Sequence, residues 1–266
     1  MTDQTSSESW SSGARYEPYV GRWSRLVASS FIDWLDVAEN AAWLDLGCGT
    51  GALSQVVLDR ARPGTVVGLD PSAGFVQFAR ENTVDVRARF EVGDAQQLGA
   101  VGGSFDAVVS ALMLNFVPDR ARALAEMRRV ARPDGVVAAY VWDYPGEMQL
   151  ITQFWNAAVE LNPDAAELHE GRRFAFCQPD QLENMFSAAG LTRVQSRSIV
   201  IPTIFRDFDD YWTPFLGGQG PAPSYAMSLN ENRRVELREV LRSRLTAADD
   251  GTITLTARAW AIRGYP

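Results

Sequence analysis

Three glycines stand close together in the segment LDLGCGTG at residues 44–51. Gly47, Gly49 and Gly51 follow an apolar run and precede a helical pattern, which predicts a loop whose backbone approaches a ligand closely. The N–H groups at the start of that helix can then bind polar groups of the ligand. The segment also fits the dinucleotide fingerprint as Gly47-x-Gly49-x-x-Ala52, so the glycines alone do not choose the cofactor.

Three carboxylates around this loop help to distinguish between the possible cofactors. Asp70 ends the next apolar run, where a carboxylate can accept both ribose hydroxyls of an adenosine; alternatively it caps the helix that follows Pro71. Asp45 lies two residues before the first glycine, where its charge would repel a pyrophosphate but suits a ligand with an ammonium and a sulfonium group. Asp94 follows a third apolar run and can accept the adenine amino group, while the N–H of Ala95 donates to the ring.

A sheet must bring these residues together at one edge. Apolar runs predict strands at 42–46, 65–70, 87–92, 106–111 and 136–142, with helices at 52–60, from 72 to about 80, and at 120–131. Another helix is predicted at 23–35, before the first strand. Buried strands separated by helices favour a parallel sheet with right-handed crossovers. Later helices at 147–161 and 180–189 accompany two β-rich runs, at 193–201 and 252–262, which are expected to pair antiparallel at the sheet edge.

Length and composition predict one α/β unit. The chain has 266 residues, of which 46% are hydrophobic, enough for one large core. We expect a flexible N-terminal tail at 1–12 and a single domain at 13–266, with cap segments at about 145–180 and 202–230. The net charge of -8 argues against a nucleic-acid partner. No apolar run reaches the length of a membrane span and no signal pattern is present, so a cytoplasmic location is expected.

Two side chains outside the loop are candidates for catalysis. His169 is the only histidine and lies in a polar helical run; the alternative is a merely exposed residue. Asp143 follows the fifth predicted strand, at the sheet end where α/β proteins bind ligands; alternatively it caps the following turn. Asn115 follows the fourth strand at the same end. Two cysteines and one histidine are too few for a Cys/His zinc site, so no metal is expected.

Five motifs together resemble class I S-adenosylmethionine-dependent methyltransferases, in the broad group that includes the ubiquinone/menaquinone-biosynthesis methyltransferases. They are LDLGCGTG at 44–51, GLDPS at 68–72, GDAQQL at 93–98, FDAVVSALMLNFVPD at 105–119 and MRRVARPDGVVAAYVW at 127–142. The resemblance runs from about residue 16 to residue 265. It implies a Rossmann-like three-layer sandwich whose seven-stranded, mostly parallel sheet has an antiparallel last strand.

The resemblance also implies roles for individual residues. The loop from Gly47 to Gly51 would wrap the methionine end of S-adenosylmethionine, and Ser110 and Ala111 would face the same moiety. Asp70, followed by Pro71, would hold the ribose, and Asp94 with Ala95 would contact the adenine. A segment from Tyr16 to Trp23 would close over the cofactor, with Arg22 binding the methionine carboxylate; alternatively Arg22 is a surface residue at a helix start.

The expected function is therefore methyl transfer from S-adenosylmethionine, with S-adenosylhomocysteine as product. We expect a small, apolar or aromatic acceptor, methylated at oxygen, carbon or nitrogen, because aromatic residues crowd the segments outside the sheet. Residues 111–115, ALMLN, lack the Asn/Asp-Pro-Pro-Tyr/Phe sequence typical of enzymes that methylate adenine or glutamine amino groups. Two alternatives stay open: an NAD-dependent oxidoreductase, against which Asp45 and Asp94 argue, and a non-catalytic S-adenosylmethionine-binding protein.

Overall fold

The computed structural model describes residues 17–218 and 220–266; the predicted tail at 1–12 and Tyr16 lie outside them. One sheet contains the seven described strands, in the order β3-β2-β1-β4-β5-β7-β6. The strands are β1 (Ala42–Leu46), β2 (Thr65–Asp70), β3 (Ala88–Val92), β4 (Phe105–Ala111), β5 (Ala131–Trp142), β6 (Thr192–Phe205) and β7 (Ile253–Tyr265). β7 pairs antiparallel with β5 and β6, and the other four pairings are parallel. The predicted fold class is confirmed.

Helices connect the strands and cover both faces of the sheet. Those before and between the first five strands are α1 (Arg22–Leu35), α2 (Ala52–Arg60), α3 (Ala73–Asn82) and α4 (Arg120–Val130). Those after β5 are α5 (Gln149–Leu161), α6 (Glu170–Arg173), α7 (Pro179–Ala188), α8 (Phe208–Trp212), α9 (Pro221–Ser228) and α10 (Glu231–Arg244). A π-helical turn, Glu17–Gly21, leads into α1, and 3₁₀ turns occupy Pro163–Leu168 and Thr213–Gly217. Parallel strands need such crossovers, because a short turn can only join antiparallel neighbours.

The core lies around the central strands. Trp43 and Leu46 of β1 are fully buried, as are the apolar residues at the middle of β4 and β5. Helix α1 covers this sheet with its apolar face, where the Phe31 ring meets the Tyr140 ring edge-on at 5.1 Å between centroids. Each large apolar side chain buried in this way contributes about 1.5–3 kcal/mol relative to its exposed state. The continuous apolar runs of these strands are therefore explained by burial on both faces.

β5 and β6 extend furthest beyond their predicted bounds, and β7 runs three residues past its predicted end, to Tyr265. β6 continues to Phe205, beyond the predicted end at residue 201, and Pro202 pairs in register with Thr256. Proline is tolerated there because β6 is an edge strand, so the missing N–H costs no ladder hydrogen bond. β5 begins at Ala131, inside the predicted helix at 120–131, and runs through the predicted stop at 133–135. A Cβ on Gly135 would lie 2.9 Å from the carbonyl oxygen of Asp106. Because this distance is too short for a side-chain carbon, the position favours glycine.

The first predicted cap segment contains α5 and α6, and the second contains α8 and α9, whereas most of α7 and all of α10 lie outside these segments. α5 contacts the second segment through Phe154 and Phe215, whose rings stack with centroids 4.6 Å apart. The Tyr211 hydroxyl of α8 donates to the carbonyl oxygen of Leu150 at 3.0 Å. Aromatic packing thus fixes these segments against each other. Within the described ranges, no helix combines the length and apolar character needed to cross a bilayer.

Candidate functional site

The glycine loop between β1 and α2 is shaped by backbone angles that favour glycine. Gly47, Gly49 and Gly51 have φ values of +67°, +52° and +83°. The N–H groups of Gly47 and Cys48 both donate to the carbonyl oxygen of Leu69, at 2.8 and 3.0 Å, which fastens the loop to the end of β2. A Cβ added at Gly49 would meet no atom within 4 Å, so the backbone there borders open space. The loop is therefore built to let a ligand approach its backbone.

Asp70, at the end of β2, organises this loop. Its Oδ2 accepts the N–H of Gly49 at 3.0 Å, and its Oδ1 accepts the N–H of Ser72 at 2.8 Å. Burial raises the pKa of the Asp70 carboxyl, while the two N–H donors act in the opposite direction. The N-cap of α3 is Ser72, which accepts the Phe75 N–H at 3.4 Å, and not Asp70. The alternative N-cap role of Asp70 is thus taken by Ser72, and the exposed Pro71 separates the two groups.

Asp45 is the most unusual acid of the site. It is fully buried in β1; its Oδ2 accepts the Ser54 hydroxyl at 2.7 Å, and its Oδ1 has no hydrogen-bond partner among the described residues. Burial raises the pKa of this carboxyl to about 7; the Ser54 hydrogen bond opposes the shift and the charge of Asp70 adds to it. An unpartnered, buried carboxylate oxygen is costly, and a cationic ligand group would relieve that cost. The residue therefore fits a ligand that carries an ammonium group.

The other predicted ligand contacts follow β3 and β4. Asp94 is exposed and accepts the N–H of Gln96 at 2.8 Å, a bond that lowers the pKa of the Asp94 carboxyl. Ala95 beside it is buried. Ser110 is fully buried near the end of β4, and its hydroxyl has no partner in the part of the chain that the structure describes. Ala111 is half-buried beside it. Because β4 pairs with β1, Ser110 lies next to the start of the glycine loop.

Arg22 lies at the start of α1 and contacts the second cap segment. Its Nη1 is 3.1 Å from a carboxylate oxygen of Asp210, and its guanidinium lies over the rings of Trp23 and Phe205, at 4.3 and 5.0 Å from the centroids. The structure thus ties α1 to α8 through this side chain. Binding of a ligand carboxylate by Arg22 stays a prediction; its Nε and Nη2 atoms are buried and have no hydrogen-bond partner among the described residues.

His169 caps the short helix α6. Its Nδ1 accepts the N–H of Gly171 at 2.9 Å, and its ring stacks on Trp155 with centroids 5.9 Å apart. Burial lowers the pKa of the imidazole, and the charge of Arg172 lowers it further. Because Nδ1 is an acceptor here, the neutral ring carries its proton on Nε2. The ring then offers a donor rather than a base, and a catalytic role for His169 stays a prediction.

Asp143, directly after β5, is buried among structural partners. Its Oδ2 accepts from Arg258 at 2.6 Å and from the Glu147 N–H at 3.0 Å, and its Oδ1 accepts from the Gln178 side chain at 2.6 Å. Both oxygens are therefore used in joining β5 to β7 and to the first cap segment. A catalytic role for Asp143 would have to compete with these bonds, and it too stays a prediction.

A second group of polar side chains lies at the carboxyl ends of β4 and β5. This polar cluster comprises Tyr19, Asn115, Tyr144, Trp155 and Glu170, all buried. The Trp155 indole N–H donates to Oε2 of Glu170 at 2.9 Å, and the Asn115 amide is 3.5 Å from the Tyr144 hydroxyl. The Tyr19 hydroxyl and Oδ1 of Asn115 have no hydrogen-bond partner among the described residues. Such unsatisfied groups are uncommon in folded proteins, and they make this place a candidate binding surface.

Tyr144 and Glu170 were not predicted as site residues from the sequence. Tyr144 follows Asp143 at the end of a strand, so its position was a usable signal. Glu170 lies in a polar run at 164–171, and nothing local distinguishes it from the exposed acids around it. Only the packing of α6 against α5 shows that Glu170 is buried.

Comparison with known proteins adds to this geometry. Residues 44–139 match the methyltransferase domain family. The chain is 31% identical over 180 residues to 2-methyl-6-phytyl-1,4-hydroquinone methyltransferase of Synechocystis, a match that covers 66% of this chain and 55% of that protein. It is 41% identical over 98 residues to trans-aconitate 2-methyltransferase of Deinococcus radiodurans, covering 37% of this chain and 36% of that protein. The matches thus span about half and about a third of these two relatives' lengths.

Solved structures share the fold. Phosphoethanolamine N-methyltransferase 2 of Haemonchus contortus, in complex with S-adenosyl-L-methionine, superposes with a TM-score of 0.60 at 15% sequence identity. The superposition covers 95% of this chain and 57% of that one. At this identity the likeness concerns the fold alone.

Proposed function

We propose that the chain transfers a methyl group from S-adenosylmethionine to a small aromatic acceptor, because residues 44–139 match the methyltransferase domain family. The observation that carries the proposal is the buried Asp45, whose Oδ1 has no partner among the described residues and which lies two residues before a glycine loop that borders open space. When bound, S-adenosylmethionine supplies a methyl group already activated by its sulfonium. The protein then has to bind and orient the two substrates.

Each end of the cofactor has a candidate partner. Asp45 would pair with the ammonium group, and Asp70 would accept the two ribose hydroxyls with the lone pairs that its backbone donors leave available. Asp94 would accept the adenine amino group. The hydroxyl of Ser110, which lacks a partner among the described residues, would face the methionine part. These assignments follow the predicted roles, and those of Asp45 and Ser110 are supported by their unpartnered atoms.

A small aromatic acceptor is supported by the Synechocystis relative, whose name specifies a hydroquinone. The net charge of -8 would repel a long polyanion such as tRNA. The family match leaves the oxidoreductase alternative without support. The non-catalytic alternative differs from the proposal in one observable, the transfer of the methyl group itself.

The test is methyl incorporation. Purified protein would be incubated with methyl-labelled S-adenosylmethionine and, separately, with tRNA, DNA, a protein extract and a panel of phenols and hydroquinones. We expect label in at least one phenol or hydroquinone and none above background in the macromolecules, with Asp70→Ala as the inactive control. Labelling of a nucleic acid or protein alone would contradict the acceptor class. Cofactor binding without any labelling would favour the non-catalytic alternative.

Two glycines allow a matched test of the loop. Gly49→Ala is expected to weaken S-adenosylhomocysteine binding at least about tenfold, because the new methyl group occupies the space that the ligand needs. Gly103→Ala is the control, since Gly103 also has positive φ and nothing within 4 Å of the added Cβ, but lies in an exposed turn. Both variants should lose about 1–2 kcal/mol of stability from the strained backbone. Calorimetry that finds equal affinities in the two variants would show that the ligand does not approach Gly49.

A further inference from the structure

The polar cluster contains hydrogen-bonding capacity that the described residues leave unused. The Tyr19 hydroxyl can donate a hydrogen bond and Oδ1 of Asn115 can accept one, and neither has a partner among the described residues. Both side chains are more than nine-tenths buried, at 3% and 5% exposure. Leaving such groups unpaired costs about 1–3 kcal/mol each, so a bound molecule that pairs with them would gain affinity.

Glu170 brings a carboxylate into the same place. It is 2% exposed and accepts the indole N–H of Trp155 at 2.9 Å. Burial raises the pKa of the Tyr19 hydroxyl well above its ordinary value, and the nearby charge of Glu170 raises it further, ahead of Tyr144 and Tyr211. Tyr19 therefore keeps its proton, and Glu170 is near enough to affect it electrostatically.

Aromatic rings pack beside several side chains of the cluster. Tyr19 meets Phe215 edge-on at 5.4 Å, and Tyr144 packs against Phe174 at 5.0 Å. Phe215 in turn stacks on Phe154, which contacts Trp155 at 5.4 Å. These rings offer apolar faces and edges on which a planar ligand ring could stack.

The cluster also lies beside the proposed cofactor site. Asn115 follows β4 and Tyr144 follows β5, so both stand at the sheet edge where β1 leads into the glycine loop. The carboxyl ends of neighbouring parallel strands form a common ligand-binding edge. A molecule held by the cluster would therefore lie next to a cofactor bound at the loop.

We propose that the polar cluster binds a hydroxyl group of the methyl acceptor, with Glu170 as hydrogen-bond acceptor and Tyr19 as donor, and that the acceptor is a neutral hydroxylated ring of the phenol or hydroquinone type. A hydroxyl group satisfies both partners, because it donates and accepts at once. The inference rests on the proposed function, since it assigns the cluster to the acceptor side of that transfer site. It also excludes acceptors whose recognition depends on a carboxylate, such as trans-aconitate, the substrate named for one relative.

The test measures ligand binding to the full chain saturated with S-adenosylhomocysteine. The three probes are 2,3-dimethylhydroquinone, its dimethyl ether, which lacks the donors, and 2,5-dihydroxybenzoate, which keeps the donors but adds a carboxylate. We expect the hydroquinone to bind at least about tenfold more tightly than either analogue. No binding of the hydroquinone by the wild-type protein would overturn the proposal.

Three variants separate the proposed role from a structural one. Glu170→Gln should weaken hydroquinone binding at least about tenfold and should also reduce the discrimination against dihydroxybenzoate, because the repelling charge is gone. Glu167→Gln is the matched control, since Glu167 lies three residues away with 85% of its side chain exposed, and it should change neither quantity. Tyr19→Phe removes a hydroxyl that has no partner among the described residues, so it should leave the melting temperature unchanged or raised while hydroquinone binding weakens. If Glu170→Gln leaves the ratio of the hydroquinone affinity to the dihydroxybenzoate affinity unchanged, the proposal is overturned.

Failure of this inference is distinguishable from failure of the proposed function. Transfer of label to an acceptor at the wild-type rate by Glu170→Gln would contradict the role of the cluster and leave the methyltransferase activity established. Glu170-dependent binding of hydroquinone without any label transfer would contradict the activity and leave the binding site established.

Discussion

Asp70→Ala is expected to weaken binding of S-adenosylhomocysteine by at least about 100-fold. The variant would lose two charge-assisted hydrogen bonds to the ribose, and at about 1.5 kcal/mol each these amount to about 3 kcal/mol. It would also release the N–H groups of Gly49 and Ser72, which Asp70 holds at 3.0 and 2.8 Å, so the glycine loop would lose its present shape. Titration calorimetry of the purified variant measures the loss.

A modified ligand separates the two effects. An analogue of S-adenosylhomocysteine without both ribose hydroxyls should bind the wild-type protein much more weakly, yet bind Asp70→Ala about as well as the unmodified ligand does. Equal losses of both ligands in the variant would show that Asp70 acts only by ordering the loop. Asp59→Ala, at an exposed aspartate of α2, is the control for the loss of one negative charge.

Asp143→Asn is expected to lower the free energy of unfolding by roughly 3 kcal/mol. Removing one partner of a buried ion pair typically costs about 3–5 kcal/mol, because the other charge is left without its counterion. We expect a cost at the lower end of this range, because a quarter of the Arg258 side chain is exposed to solvent. In addition, its Nη1 lies 3.6 Å from a carboxylate oxygen of Glu147, which partly replaces the lost counterion. Urea unfolding monitored by circular dichroism measures the change.

The double variant supplies the control for this prediction. Arg258→Met together with Asp143→Asn should be less destabilised than the sum of the single variants, because the two side chains interact directly. Turnover would be measured at a temperature at which the variant remains folded. Unchanged stability combined with lost turnover would instead support a catalytic carboxylate at Asp143.

Much of the sheet was predictable because its signals are local. The runs that become β1 and β2 were predicted at their observed bounds, Ala42–Leu46 and Thr65–Asp70. Both are continuous apolar segments, ended by glycines or by proline, and burial on both faces demands such composition. The late strand β6 was predicted too short because Pro202 looks like a strand end. That proline is accepted only because β6 lies at the sheet edge, a fact of strand order and not of local sequence.

The candidate site also has some residues that local sequence reveals and others whose partners only the structure reveals. Gly49, Asp45 and Asp70 were found from sequence, because the backbone freedom of glycine and the charge of a carboxylate at a strand end are visible in the residue types themselves. The partners of the other candidates come from distant segments. Asp143 meets Arg258 across 115 positions of sequence, and Arg22 meets Asp210 across 188.

The sequence by itself determined the fold class, the glycine loop and the acids around it, because periodicity, glycine and charge act within a few residues. The tertiary structure alone decided which polar groups are buried and which remain without a partner among the described residues. Glu170 illustrates the difference, since it resembles its exposed neighbours in sequence and differs from them only in being packed beneath Trp155. The free energy of a buried charge depends on the atoms around it, and those atoms come from segments that only folding brings together.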